Sequence, residues 1–220
     1  MARSMREFDD EFLEALDRED KERAVQLVVQ LLEAGEVGIV QLYTEVLAPA
    51  LNEWECPLED RDLCVWREHV RSSIVRTILE VAYPYVLRER ESRGVEPNGV
   101  RVAVLCPPEE LHEIGPRMVA DLFTLAGYEV TFVGANTPVD DLVSGIRHLR
   151  PRYVAVSVTN YYNLFALRRA LERLRKVLPE GTEVLVGGSA FHDRPELVEE
   201  LGADRLVSTF DEIVDLEGGD

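Results

Sequence analysis

Residues 101–123 read RVAVLCPPEELHEIGPRMVADLF: an apolar run ends at two prolines and two glutamates, and His112 then stands just before a helix-like pattern. Glu110 precedes it by two residues and Gly115 follows it by three, with Glu113 and Ile114 between. A carboxylate beside an imidazole can hold one ring nitrogen and leave the other as a proton acceptor or metal ligand. Spacing alone is equally compatible with a solvated loop histidine.

Further along, SVT carries the hydroxyls of Ser157 and Thr159, and GGSA carries Gly187 and Gly188, a pair that lets a flat ligand approach the backbone or simply makes a turn. A second acid–imidazole pair, Glu68 and His69, lies in VWREHV beside an apolar stripe of Leu63, Trp66 and Val70.

Two kinds of element must position these groups. Up to about residue 91, FLEAL, AVQLVVQLLEAG, VGIVQLYTEVLAPAL and LCVWREHVRSSIVRTILEVAY repeat their apolar residues at three and four. That is the pattern of amphipathic helices, and the set implies a four-helix bundle over 1–91. Gly35 and Gly38 separate the second helix from the third, and Pro49 and Pro84 should kink or end theirs. SRGVEPNG, 92–99, reads as a linker. From 100 to 220 the period changes: VRVAVL, EVTFVG, YVAVSV, EVLVGG and DRLVS alternate with helical stretches. Strands alternating with helices imply an α/β domain with a five-stranded parallel, doubly wound, flavodoxin-like sheet, whose ligands bind beyond the carboxyl ends of the strands. His112, Ser157, Thr159 and the two glycines all fall at that edge. A phosphoacceptor receiver is excluded, because the acid after strand three and the lysine after strand five are Ser157 and Ser208.

The whole-chain balance narrows the partners. With 24 Lys and Arg against 42 Asp and Glu, the formal charge of −18 repels phosphate backbones and argues against direct nucleic-acid binding. No apolar run approaches the roughly 20 residues of a membrane span, and the acidic start does not read as a signal peptide, so a cytoplasmic protein is expected. Cys56, Cys64 and Cys106 form no CxxC pair and are odd in number, which reads as reduced, mostly buried thiols.

The order H-x-x-G, Ser-Val-Thr, Gly-Gly in a five-stranded domain preceded by a helical bundle resembles the cobalamin-binding module of methionine synthase and its relatives, over about residues 20–208. The resemblance implies a cofactor bound base-off/His-on, with His112 replacing dimethylbenzimidazole below cobalt and Glu110 behind it. Glu113, Ile114 and Gly115 complete that loop, and Ser157, Thr159, Gly187 and Gly188 would line the nucleotide tail. Methyl-carrying members usually have Asp at the place of Glu110. E-x-H-x-x-G, together with LYTEVLAPALNEW and Glu68–His69, is similar to the light-responsive, adenosylcobalamin-binding regulators of the CarH type, in which that glutamate–histidine pair faces the upper side of the corrin. Leu58 and Glu59 depart from the tryptophan and the cobalt-capturing histidine of those regulators, and Trp54 and Trp66 are out of register. The regulators' DNA-binding domain has no room here.

The resemblance therefore implies a stand-alone cobalamin-binding sensor, more a binding protein than an enzyme, that passes ligand or light state to a protein partner. The alternatives are a corrinoid methyl carrier serving methyltransferases and a degenerate module without cofactor; a mutase would need a further large domain. Adenosylcobalamin is the favoured form, with methylcobalamin or hydroxocobalamin also compatible, and a homo-oligomer is compatible with the pattern.

Overall fold

The structure, a computed structural model, describes residues 5–56, 58–192, 194 and 196–216; the side chains of 58–60 lie outside that description, and with them the substitutions noted at Leu58 and Glu59. Cα packing divides the chain into two compact units between residues 89 and 90. The interval 92–99 stays the proposed linker.

The first unit is helical. α1 (Met5–Asp17) buries Phe8, Phe12, Ala15 and Leu16, the three-and-four spacing read from the sequence. α2 (Lys21–Glu33) starts where the Asp20 carboxylate accepts from the Arg23 N–H, and it buries Ala24, Leu27, Val28, Leu31 and Leu32. After Gly35, at φ +65°, the chain enters α3 (Ile39–Gln41). Gly38 offers no side-chain oxygen to cap that helix, and Glu89 supplies one from afar: its Oε2 accepts the Ile39 N–H at 2.6 Å. α3 passes through a π-helical stretch, Leu42–Leu47, into α4 (Ala48–Asn52). Pro49 has no N–H to give, and the helix widens just before it, with the Ala48 N–H reaching back to the Tyr43 carbonyl. The proline reshapes this helix without ending it.

A 3-10 turn, Leu58–Leu63, leads into α5 (Cys64–Ser92), which runs on past Pro84 to Ser92. Arg71 on α5 is buried and knits the unit together: Nη1 meets the Asp17 carboxylate at 2.7 Å, Nε donates to the Ala50 carbonyl at 2.7 Å, and the guanidinium lies 5.8 Å from the Trp54 ring centre. Two expectations fail here. Cys56 and Cys64 are not free thiols but a disulfide, because the 3-10 turn folds the chain back and brings their Cα atoms to 5.6 Å. Leu63 and Trp66 are not a packed stripe either. Both are exposed, since the buried face of α5 begins only at Arg71.

In the second unit, β1 (Arg101–Leu105), β2 (Glu129–Gly134), β3 (Tyr153–Ser157), β4 (Glu183–Gly187) and β5 (Arg205–Leu206) form one parallel sheet in the order β2-β1-β3-β4-β5. Val102 pairs with Val130 on one side and Tyr153 on the other, so β1 is an interior strand, buried from Val102 to Leu105. Between β1 and β3 the connections leave in opposite directions, and the crevice at that switch point is where such sheets bind ligands. α6 (Ile114–Leu125), α7 (Val139–Leu149), α8 (Leu164–Leu174) and α9 (Leu197–Glu200) cover the sheet. Leu142 and Ile146 of α7 and Leu167, Leu171 and Leu174 of α8 pack on Val154, Val156, Val184 and Val186. α10 (Phe210–Val214), not foreseen in the sequence, is tied back where the Tyr128 hydroxyl donates to the Ile213 carbonyl and the Tyr153 hydroxyl to the Leu216 carbonyl, each at 3.2 Å.

Candidate functional site

The site is built on the loops after β1 and β3. Glu109 leaves β1's loop with φ +73°, and Asn136 opposite it has φ +53°. The two hold each other: the Asn136 side chain accepts the Glu109 N–H, and the Glu110 carbonyl accepts the Asn136 N–H. This clasp turns Glu110 inward. Its side chain is fully buried, and both oxygens are used. Oε2 accepts the Thr159 and Asn160 N–H groups, each at 3.0 Å, from the loop after β3. Oε1 accepts the His112 N–H at 3.1 Å and faces His112 Nδ1 at 2.5 Å.

These donors decide the charge of Glu110. Burial pushes its carboxyl up, but the Asn160 N–H, the Asn163 side chain and the His112 ring and N–H together hold it down, at about 2. An ionised carboxylate accepts only, so Nδ1 of His112 must carry the proton it shares with Glu110. In the neutral ring this tautomer leaves the lone pair on Nε2. That nitrogen has no hydrogen-bond partner among the described residues, and the His112 side chain is 53% exposed. The arrangement is an oriented imidazole with one nitrogen presented outward, and its neutral form is the one that can bind a soft or borderline metal.

Of the loop residues named from the sequence, Glu113 stands at the N-cap position of α6 without a side-chain capping bond, Ile114 opens the helix three residues before the apolar pattern at Arg117, and Gly115 follows in the first turn. A Cβ on Gly115 would meet no atom within 4 Å. Nothing within this chain fills the space beside it. Gly187 and Gly188 differ. Gly188 has φ +98°, and a Cβ would come within 2.4 Å of the Val158 carbonyl oxygen; on Gly187 it would come within 2.7 Å of that of Val207. The protein's own loops take the space those glycines leave.

Ser157 ends β3 half-buried, and Thr159 contributes its backbone rather than its hydroxyl. Glu68 and His69 belong to the first unit, exposed on the second turn of α5. Asn160 and Asn163 were missed, although the NYYN that follows SVT is a signal: Asn160 also caps the 3-10 turn Tyr161–Asn163 by accepting the Tyr162 N–H. Cys106, fully buried behind the loop, has its thiol pushed up to about 12 by burial and by the charges of Glu110 and Glu113. It is inert. Leu111, Tyr161, Tyr162 and Phe165 are large apolar side chains exposed on the same two loops and the start of α8.

A doubly wound domain with an imidazole turned outward by a buried carboxylate at its switch point defines the class of protein: a ligand-binding module of the open α/β type. The B12 binding domain family matches residues 100–215, and the chain belongs to that family. Over 206 residues it is 30% identical to the HTH-type transcriptional repressor CarH of Myxococcus xanthus, covering 90% of this chain and 66% of that protein. The chain thus spans less than two thirds of that regulator's length. It is 22% identical to trimethylamine corrinoid protein 1 of Methanosarcina acetivorans, covering 89% of this chain and 88% of that one. Its fold matches the monomethylamine corrinoid protein of Methanosarcina barkeri with a TM-score of 0.78 at 17% identity, covering 97% and 98% of the two chains. It is a cobalamin-binding protein with a helical N-terminal region and a five-stranded parallel domain. Among the described residues no helix is long and apolar enough to cross a membrane.

Proposed function

We propose that this chain is a cobalamin-dependent sensor, binding the cofactor with His112 as the lower cobalt ligand and reporting its ligand or light state to a protein partner. The observation that carries the reading is the ionised, fully buried Glu110, which fixes the His112 tautomer and turns Nε2 outward. The open backbone at Gly115 and the exposed Leu111, Tyr161 and Tyr162 fit a broad, partly apolar macrocycle. Bound cobalamin would supply a cobalt–carbon bond that light or a nucleophile can break. The protein's own part is to hold His112, with its proton on Nδ1, against that metal. Ser157, Thr159, Gly187 and Gly188 are proposed to border the nucleotide tail, and Glu68 and His69 to face the upper side. The glutamate of E-x-H-x-x-G, shared with the regulators rather than the methyl carriers, supports the sensor.

The second reading is a methyl carrier, supported by similarity to a corrinoid protein over nearly its whole length. Protein loaded with adenosylcobalamin and exposed to green light separates the two. The sensor is expected to give a lasting change in absorption that His69→Ala alters and Glu59→Gln does not, because imidazole is the better cobalt donor. A photoproduct spectrum that His69→Ala leaves unchanged, with methylation by an added methylamine methyltransferase once the same protein is reloaded with cobalamin chemically reduced to the cob(I) state, would replace the sensor with the carrier.

A further inference from the structure

We propose that Cys56–Cys64 is a reversible thiol–disulfide exchange site that sets the order of the first two turns of α5. The argument starts from what holds those turns. α5 buries Arg71, Ile74, Val75, Ile78, Leu79, Ala82 and Val86, and none of its residues before Arg71. Val65 and Trp66 are 65% and 62% exposed. Of the seven residues 64–70, only Cys64, Arg67 and Val70 are half-buried and the rest are exposed, so this end of the helix is the least packed part of it. The disulfide is their tether: it fastens Cys64, the first residue of α5, to the end of the chain leaving α4.

The position also favours exchange. Both cysteines are half-buried and within reach of a small dithiol, whereas Cys106 is sealed in the other unit. A reductant thiolate attacks Cys56 Sγ, the Cys56–Cys64 bond breaks, and Cys64 leaves as a thiolate. The amino end of a long helix stabilises that anion, which makes Cys64 the better leaving sulfur. The second thiol of the reductant then displaces Cys56 from the mixed disulfide. The dithiol ends as its cyclic disulfide, oxidised by two electrons, and the protein ends with two thiols after proton uptake from water. With the tether open, residues 64–70 fray while the helix from Arg71 onward stays packed. Glu68 and His69 lie in the released turns, so under the function proposed above their placement becomes redox-dependent; that last step rests on that reading.

The test uses the full chain, air-oxidised and then titrated with dithiothreitol. Iodoacetamide is expected to leave Cys56 and Cys64 unlabelled before reduction and to label both after it, with Cys106 reacting only on unfolding. Amide exchange at 64–70 should quicken about ten-fold on reduction, while α2 and the part of α5 after Arg71 do not change. Oxidised glutathione should reverse this, and Cys56→Ser should reproduce the reduced pattern, with Cys64→Ser as its counterpart. Labelling of both cysteines in oxidised protein, or equal exchange at 64–70 in the two states, overturns the proposal. Because these readings need no cofactor, they stand apart from cobalamin binding. A reduced protein whose bound hydroxocobalamin spectrum matches that of the oxidised one, with the exchange difference intact, overturns only the link to Glu68 and His69.

Discussion

Glu110 and His112 work as one unit, and substituting either has a distinct consequence. In Glu110→Gln the single remaining carbonyl oxygen can satisfy the Thr159 and Asn160 N–H groups or His112, but not both sets. If it turns to the backbone amides, its NH2 faces Nδ1 and moves the imidazole proton to Nε2, the wrong tautomer for a metal ligand. Cobalamin affinity should fall about 10- to 100-fold, and less than in His112→Ala, which removes the ligand itself. Titration of aquocobalamin against each variant checks the order; a larger loss in Glu110→Gln would give Glu110 a separate task. Gly188→Ala belongs to the fold instead. With φ +98° and the Val158 carbonyl 2.4 Å from the new Cβ, it should cost about 2 kcal/mol or more in urea unfolding. The sequence placed the histidine, the carboxylate and the glycines on the right loops because each is a residue type with a narrow use. It did not reveal that backbone amides, rather than the serine and threonine hydroxyls, hold Glu110, since every residue carries an amide and none is marked in the sequence.

At the scale of elements, strands and long helices were legible because burial imposes a period of two or of three and four. α7 follows VDDLVSGIRHL from end to end. Features held by single polar bonds or by covalent closure were not. The third helix was read from its apolar spacing, but not its cap, which Glu89 supplies from the far end of α5; the disulfide depends on a 3-10 turn between its cysteines, so cysteine counting alone pointed the wrong way. α10 is likewise local chemistry: Thr209 accepts the Glu212 N–H, and the Glu212 carboxylate returns to the Ser208 and Thr209 N–H groups. Thr209→Ala should cost about 1 kcal/mol of stability. The Ser208 N–H bond, against a smaller opposing effect of burial, holds the Glu212 carboxyl below its ordinary value. A lowered folded pKa means the cap's contribution is present above the ordinary carboxylate pKa and is lost as pH falls through the folded one. The protection of the α10 amides, relative to the intrinsic exchange rate at each pH, should thus fall on acidification from neutral pH in wild type, and Glu212→Gln should flatten that dependence; an unchanged profile in the variant would remove Glu212 from the cap.

For the whole molecule, the central claim is that one imidazole of this chain replaces the cofactor's own base on cobalt. The most direct measurement is electron paramagnetic resonance of the cob(II)alamin form bound to protein grown on nitrogen-15. The unpaired electron couples to whichever nitrogen lies below the metal, and the splitting identifies its isotope. The expected spectrum is a nitrogen-15 doublet, lost in His112→Ala. A nitrogen-14 triplet from unlabelled dimethylbenzimidazole, or a doublet that persists in His112→Ala, would contradict the account.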